Sequence, residues 1–322
     1  MPARDTWHTS FCSKTLVRWQ EGLLARLAIG GIDMNAKKLA GALAVAAGSA
    51  VAVTGAACAV LAPRHGDPVI DQQWREIARY RYAHRGLHGE GAPENSMAAF
   101  LRAREHGFGV ELDIHLTADG ELVVIHDSDI RRMCGREGIV ERMTLSELLE
   151  CRLAGTDEQI PTFSEALSVF DCDPTGESEL PAPVIVELKT LDDNHAELCE
   201  RAMRCLDDHL VRYCVESFDP RAVAWMRRHR PEVIRGQLAE NFWPDADRPL
   251  YVRVGGTALL GNAAARPDFV AYKFSDCDNP AVRLSCGLLG AHLVAWTLRS
   301  ERELAAAEAA GAVPIFEGFL PA

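Results

Sequence analysis

Glu111 and Asp113 stand two positions apart in FGVELDIHL, an apolar run with strand character. That spacing puts both carboxylates on one face of a strand. Two acids facing one apolar pocket repel unless a cation bridges them, and buried charge needs a partner. Glu187, in the strand-like VIVELK, would bring a third oxygen from another strand. Three carboxylates with water suit one hard divalent cation, Ca²⁺ or Mg²⁺. Two histidines stand at strand ends, His84 and, 42 positions later, His126. Imidazole titrates near neutrality, so they form a candidate acid/base pair. Arg85 and Lys189 add a guanidinium fork and a point charge for an anionic group. Together these groups describe a phosphoryl-transfer site. His88 and Glu90 read as solvent-facing loop residues. His115, which follows the E-L-D run, reads as structural.

These side chains require an architecture that collects strand ends. Apolar strand candidates run over 79–84, 108–114, 122–126, 184–188, 213–218, 233–238, 269–274, 292–298 and 313–316. Helical periodicity appears at 96–106, 144–151, 163–170, 193–209, 220–229, 279–289 and 300–310. Asn95, Thr144 and Ser300 are placed to cap helices, and Ser300 with Glu303 spells a capping box. Alternation of this kind argues for a parallel α/β domain, and residues 75–322 approach the roughly 250 positions of a (β/α)8 TIM barrel. Nine strands are one too many for eight. The rival open sheet lacks the G-x-G-x-x-G expected after its first strand. Residues 128–160 read as a small insertion above the barrel.

Composition narrows the partners. A hydrophobic content of 48% and a charged content of 25% fit a folded domain, and the net charge of −12 argues against nucleic acid. The ten cysteines show no zinc-like spacing and read as free thiols. Residues 39–63 carry no charge and are long enough for a transmembrane or signal helix. Lys37 and Lys38 precede the run, which favours a cytoplasmic N-terminus and a membrane-anchored, extracytoplasmic catalytic domain. Residues 1–38 are then a cytoplasmic extension or follow from a start placed too early, with Met34 the true one.

The order HRG…PENS, ELD, HD, ELK, SF and WT resembles the glycerophosphodiester phosphodiesterase family over about residues 80–318. The resemblance implies a (β/α)8 barrel hydrolysing glycerophosphodiesters to glycerol 3-phosphate and an alcohol. It implies His84 and His126 as acid/base pair, Glu111, Asp113 and Glu187 as metal ligands, and Arg85 and Lys189 as phosphate contacts. Ser217, Phe218 and Trp296 match positions near the pocket, Trp296 among the substrate contacts, and Glu94-Asn95 matches the element closing the first loop. Two departures stand out. Glu317-Gly318 replaces the usual aspartate near the last strand, and Ile130 to Cys134 replaces the usual run after HD. A lysophospholipase D or phosphatidylinositol phospholipase C-like activity is the alternative on the same barrel, and a tethered non-catalytic binding module the remaining one.

Overall fold

In the computed structural model the structure describes residues 54–64, 66–173, 175 and 180–322. One compact unit runs from Ala56 to Ala322. Its nine strands are β1 (Tyr82–His84), β2 (Gly109–Leu116), β3 (Leu122–Val124), β4 (Val184–Leu188), β5 (Tyr213–Ser217), β6 (Arg235–Ala239), β7 (Phe269–Lys273), β8 (His292–Leu298) and β9 (Val313–Phe316). β1 pairs in parallel with both β2 and β9, so the sheet closes. The staves are β1, β2, β4, β5, β6, β7, β8 and β9, all parallel. The fold is the expected eight-stranded barrel.

The supernumerary strand is β3. It is not a stave: it folds back antiparallel on the end of β2, with Ile114 opposite Val124 and Leu116 opposite Leu122. A short apolar run bounded by turn residues looks the same whichever way it pairs, so the sequence could not set it apart. The turn at Asp119-Gly120 returns the chain towards the mouth, where the Ile125 N–H donates to the Asp113 carbonyl at 3.1 Å. His126 is therefore delivered by a hairpin arm rather than by the end of a barrel strand. Residues 128–160 do form a separate small layer, with a core of Ile130, Met133, Val140, Met143, Leu148, Leu153 and Ile160 over Val123 and Ile125.

Inside the barrel, Tyr82, Ile185, Cys214, Ile234, Phe269, Val294, Val313 and Ile315 fill the end nearest the strand starts. Gly236 is needed there, since a Cβ would lie 2.1 Å from the Phe269 ring. The helix Pro68–Ile77, capped by Asp67, closes this end with Ile70, Trp74 and Ile77. Trp74 stacks on His292, 4.4 Å between centroids. The barrel unit thus begins before the expected residue 75.

Residues 39–53 of the proposed span lie outside the described residues. Its far end packs on the barrel: Leu61 is buried beside Phe242, Leu259, Val270 and Tyr272, and Ser285 Oγ donates to its carbonyl at 3.0 Å. Arg64 makes a two-pronged contact with Asp268, at 2.6 and 2.7 Å. Among the described residues no helix is long and apolar enough to cross a membrane. The nine described cysteines are free.

Candidate active site

Parallel staves present their C-terminal ends on one face. Register places Asp113 beside Glu187 across β2 and β4, and His84 beside Glu111 across β1 and β2. Glu111, Asp113 and Glu187 are buried, and each offers an oxygen lying within 4.8 Å of the others. Lys189 Nζ stands 2.9 Å from Asp113 Oδ1 and 2.8 Å from Glu187 Oε1. The Glu111 Oε2 atom accepts from the Arg85 backbone N–H at 3.2 Å.

Sequence reasoning missed a fourth carboxylate, Glu216. It is buried, one strand beyond Glu187, with Oε2 unpaired among the described residues. Burial and the neighbouring carboxylates push Glu111 and Glu216 well up, and burial raises Glu187 to about 7. For Asp113 burial acts in the same sense, but Lys189, His126 and Arg85 outweigh it and hold the carboxyl low. Four acids stand against Lys189 and Arg85, so two negative charges remain when all ionise. This all-oxygen donor set fits one hard divalent ion.

The two imidazoles are each oriented by a carboxylate. His126 Nδ1 lies 2.6 Å from Asp127 Oδ1, so Nδ1 bears the hydrogen and Nε2 is left for proton exchange. His84 Nδ1 lies 3.3 Å from Glu317 Oε2, and its Nε2 is 3.9 Å from Glu111 Oε2. Burial lowers the pKa of both rings, opposed by Glu317 at His84 and by Asp113 at His126. Glu317, where the sequence departs from the family pattern, is thus an orienting group for His84. Its other oxygen is 3.4 Å from His88 Nε2, and Arg299 donates at 2.6 Å to Oε2, the oxygen that faces His84. His88 is accordingly not a solvent-facing loop residue; the long glutamate reaches back across the closure between β9 and β1.

Asn95 also differs from expectation. Ser96 caps the helix Met97–Glu105, while Asn95 takes φ 54° and donates Nδ2 to Asp113 Oδ2 at 2.8 Å. Arg85 has φ 55°, and its carbonyl accepts from the Asn95 N–H at 2.9 Å, which pinches the loop. Left-handed backbone at two non-glycine residues is tolerated where surrounding contacts fix it, commonly at functional sites. Gly86 between them is obligatory, since a Cβ would meet that of Ala99 at 2.9 Å.

The loop after His126 supplies another missed group. Arg132 donates Nε to Asp127 Oδ2 at 2.5 Å and its Nη atoms to Glu94 at 2.7 and 2.9 Å. Glu94 in turn accepts from Arg85 Nη1 at 2.8 Å. One arginine therefore braces the carboxylate behind His126 and the carboxylate behind Arg85. His115 is buried, pairs with Glu141 at 2.6 Å and contacts the His126 carbonyl at 3.1 Å, a structural part. Trp296, on β8, keeps a buried Nε1 with no partner among the described residues, and its ring meets Phe218 edge-on at 5.9 Å. Ser217 ties β5 to β4 by donating to the Leu188 carbonyl at 2.7 Å.

The chain is similar to known proteins in sequence and in fold. The chain is 44% identical over 97 residues to a glycerophosphodiester phosphodiesterase of Caldanaerobacter subterraneus, a match covering 27% of this chain and 39% of that one. It is 30% identical over 165 residues to rat glycerophosphodiester phosphodiesterase 1, covering 46% and 48%. The chain thus spans less than half the length of these two relatives. In fold it is similar to an Oleispira antarctica phosphodiesterase solved with the product sn-glycerol-3-phosphate, with a TM-score of 0.60, 22% identity, and coverage of 74% of this chain and 92% of that one. The profile of the glycerophosphoryl diester phosphodiesterase family matches residues 84–319, nearly the whole barrel, and the chain belongs to that family.

Proposed function

We propose that this chain is a metal-dependent phosphoric diester hydrolase that converts glycerophosphodiesters to glycerol 3-phosphate and an alcohol, with His84 and His126 as its acid/base pair. The observation that carries the reading is the convergence of two carboxylate-oriented imidazoles on one buried triad, Glu111, Asp113 and Glu187. The Oleispira enzyme, alike in fold, holds glycerol 3-phosphate as product. A divalent ion bound by the triad would polarise the phosphoryl oxygens and offset charge building on them.

The chain's own groups do the rest. Arg85 and Lys189 neutralise the phosphate, and Trp296 Nε1 offers a donor to the substrate. One histidine takes a proton from the nucleophile, which forms the new P–O bond: water gives glycerol 3-phosphate in one step, whereas the substrate's own glycerol hydroxyl gives a cyclic phosphodiester that a later water opens. As the P–O bond to the alcohol breaks, the other returns a proton to the departing oxygen. Incubating the chain with glycerophosphocholine, glycerophosphoethanolamine and glycerophosphoglycerol plus Mg²⁺ or Ca²⁺ should release glycerol 3-phosphate. Absence of release from every member of the panel would refute the reading.

The brace at Arg132 makes a second expectation. Arg132→Ala should lower turnover by about 10- to 100-fold, the range for groups that orient those touching the reaction. Arg132→Lys should recover little of it, because an ammonium cannot span two carboxylates with a planar fork. Steady-state kinetics checks this, and parental rates in Arg132→Ala would show that Asp127 and Glu94 hold their places unaided.

We read residues 39–55 as a membrane tether, residues 1–38 as a cytoplasmic extension and the barrel as extracytoplasmic; residues 56–63, the rest of the uncharged stretch, belong to the barrel unit. The support is the uncharged stretch and the lysines preceding it.

A further inference from the structure

The connection between β6 and β7 carries an apolar surface that the proposed chemistry does not use. The helix Leu250–Thr257 has no buried residue. Leu250 is 64% exposed, Tyr251 78% and nearby Trp243 49%, with Val254 and Leu260 also exposed. Contiguous apolar exposure of this kind marks an interaction surface. Two arginines sit among these residues: Arg253 lies over the Trp243 ring at 5.3 Å, and Arg248, paired with Asp245, lies over Phe242 at 5.0 Å. Tryptophan and tyrosine beside arginine suit the boundary between acyl chains and headgroups.

The course of the chain identifies the occupant. Ala56, Ala57 and Val60 line one groove with Asn241, Trp243 and Leu260, beyond the C-terminal ends of the staves. From there the chain descends to Arg64, which is tied to Asp268 just ahead of β7. Traced backwards, residues 56–60 lead up to the mouth of the barrel, and the residues before them, 39–53, are uncharged. The described end of the uncharged stretch, residues 56–60, therefore lies on the side that exposes Trp243. The same side reaches the candidate site through ring contacts, Phe242 to Phe218 at 6.1 Å and Phe218 to Trp296 at 5.9 Å.

We propose that the β6–β7 connection, through Trp243, Leu250, Tyr251 and Val254, docks on the surface of the lipid bilayer that holds the tether, turning the mouth of the barrel towards the headgroups. This goes beyond the phosphodiesterase reading and rests on the tether reading alone.

The test uses the full chain reconstituted in phosphatidylglycerol/phosphatidylethanolamine vesicles, with and without bromine on the acyl chains near the headgroup. The chain has six tryptophans, so the Trp243 signal is the difference between the parent and Trp243→Phe. Bromolipid should quench that difference. The triple variant Leu250→Ser/Tyr251→Ser/Val254→Ser should restore the emission and leave hydrolysis of water-soluble glycerophosphocholine at the parental rate. An unquenched Trp243 in chain that floats with the vesicles overturns the docking face and leaves the tether standing, whether residues 39–53 or a second copy cover the surface instead. Chain that does not float overturns the tether, and the docking with it. Absence of hydrolysis by parent and variant alike refutes the phosphodiesterase reading, with the quenching result unaffected.

Discussion

His126→Ala is expected to turn over glycerophosphocholine about 10² times more slowly than the parent or worse, the usual loss when a positioned proton-transfer group is removed. The fall is expected in kcat, because Arg85, Lys189 and the acid triad, the groups proposed to hold the phosphate end, are untouched by the change. His84→Ala should fall comparably. The two variants separate when the alcohol is replaced by p-nitrophenol, which leaves without being protonated. The variant missing the general acid then recovers much of its rate, and the variant missing the base does not. That comparison assigns the roles, which the two matched His–carboxylate pairs leave open. A His126→Ala chain with near-parental kcat sinks the acid/base assignment.

The second large effect concerns the triad. Treatment with EDTA followed by desalting should abolish turnover, and added Mg²⁺ or Ca²⁺ should restore it. Charge stabilisation by a bound ion is worth several kcal/mol, and each 1.36 kcal/mol is tenfold, so a loss of at least about 10²-fold is expected. Asp113→Asn should lose as much and respond poorly to added ion, since it also removes the partner of Lys189 and Asn95. A readout independent of activity is available. Four buried carboxylates face two cations, so binding an ion relieves repulsion in the folded state and raises the melting temperature with ion concentration. Full activity after EDTA and desalting, with no ion-dependent shift in melting, removes the metal from the proposal.

Much of the candidate site could be read from the chain because a parallel barrel turns local grammar into geometry. E-x-D on a strand means two side chains on one face, and residues at strand ends mean one shared rim. What escaped has no local signature. Glu317 and His84 meet across 233 positions, and Arg132 meets Glu94 across 38. Asn95 has the composition of a cap, but Ser96 takes that place and Asn95 turns to Asp113. β3 has the composition of a stave, and only its pairing shows that it is a hairpin arm. The helix Leu250–Thr257 contains Val-Gly-Gly and has no apolar stripe on a buried face, so periodicity did not find it. Glu317 had one clue, that it stood where the resemblance leads one to expect an aspartate.

Closure of the sheet by β1 against β9 has a consequence for how the molecule comes into being. Synthesis from the N-terminus makes β1, β2 and β4 early, and with them Glu111, Asp113 and Glu187. The partner that orients His84, Glu317, arrives 233 positions after it. A nascent chain emerging from the ribosome therefore carries an acidic cluster before it carries a finished imidazole pair. Pairing across such a separation is slow, because the entropy of closing the loop is lost before the contact rewards it. Competence for hydrolysis is thus expected to appear in one late step, when the last strand seats, rather than to grow with chain length.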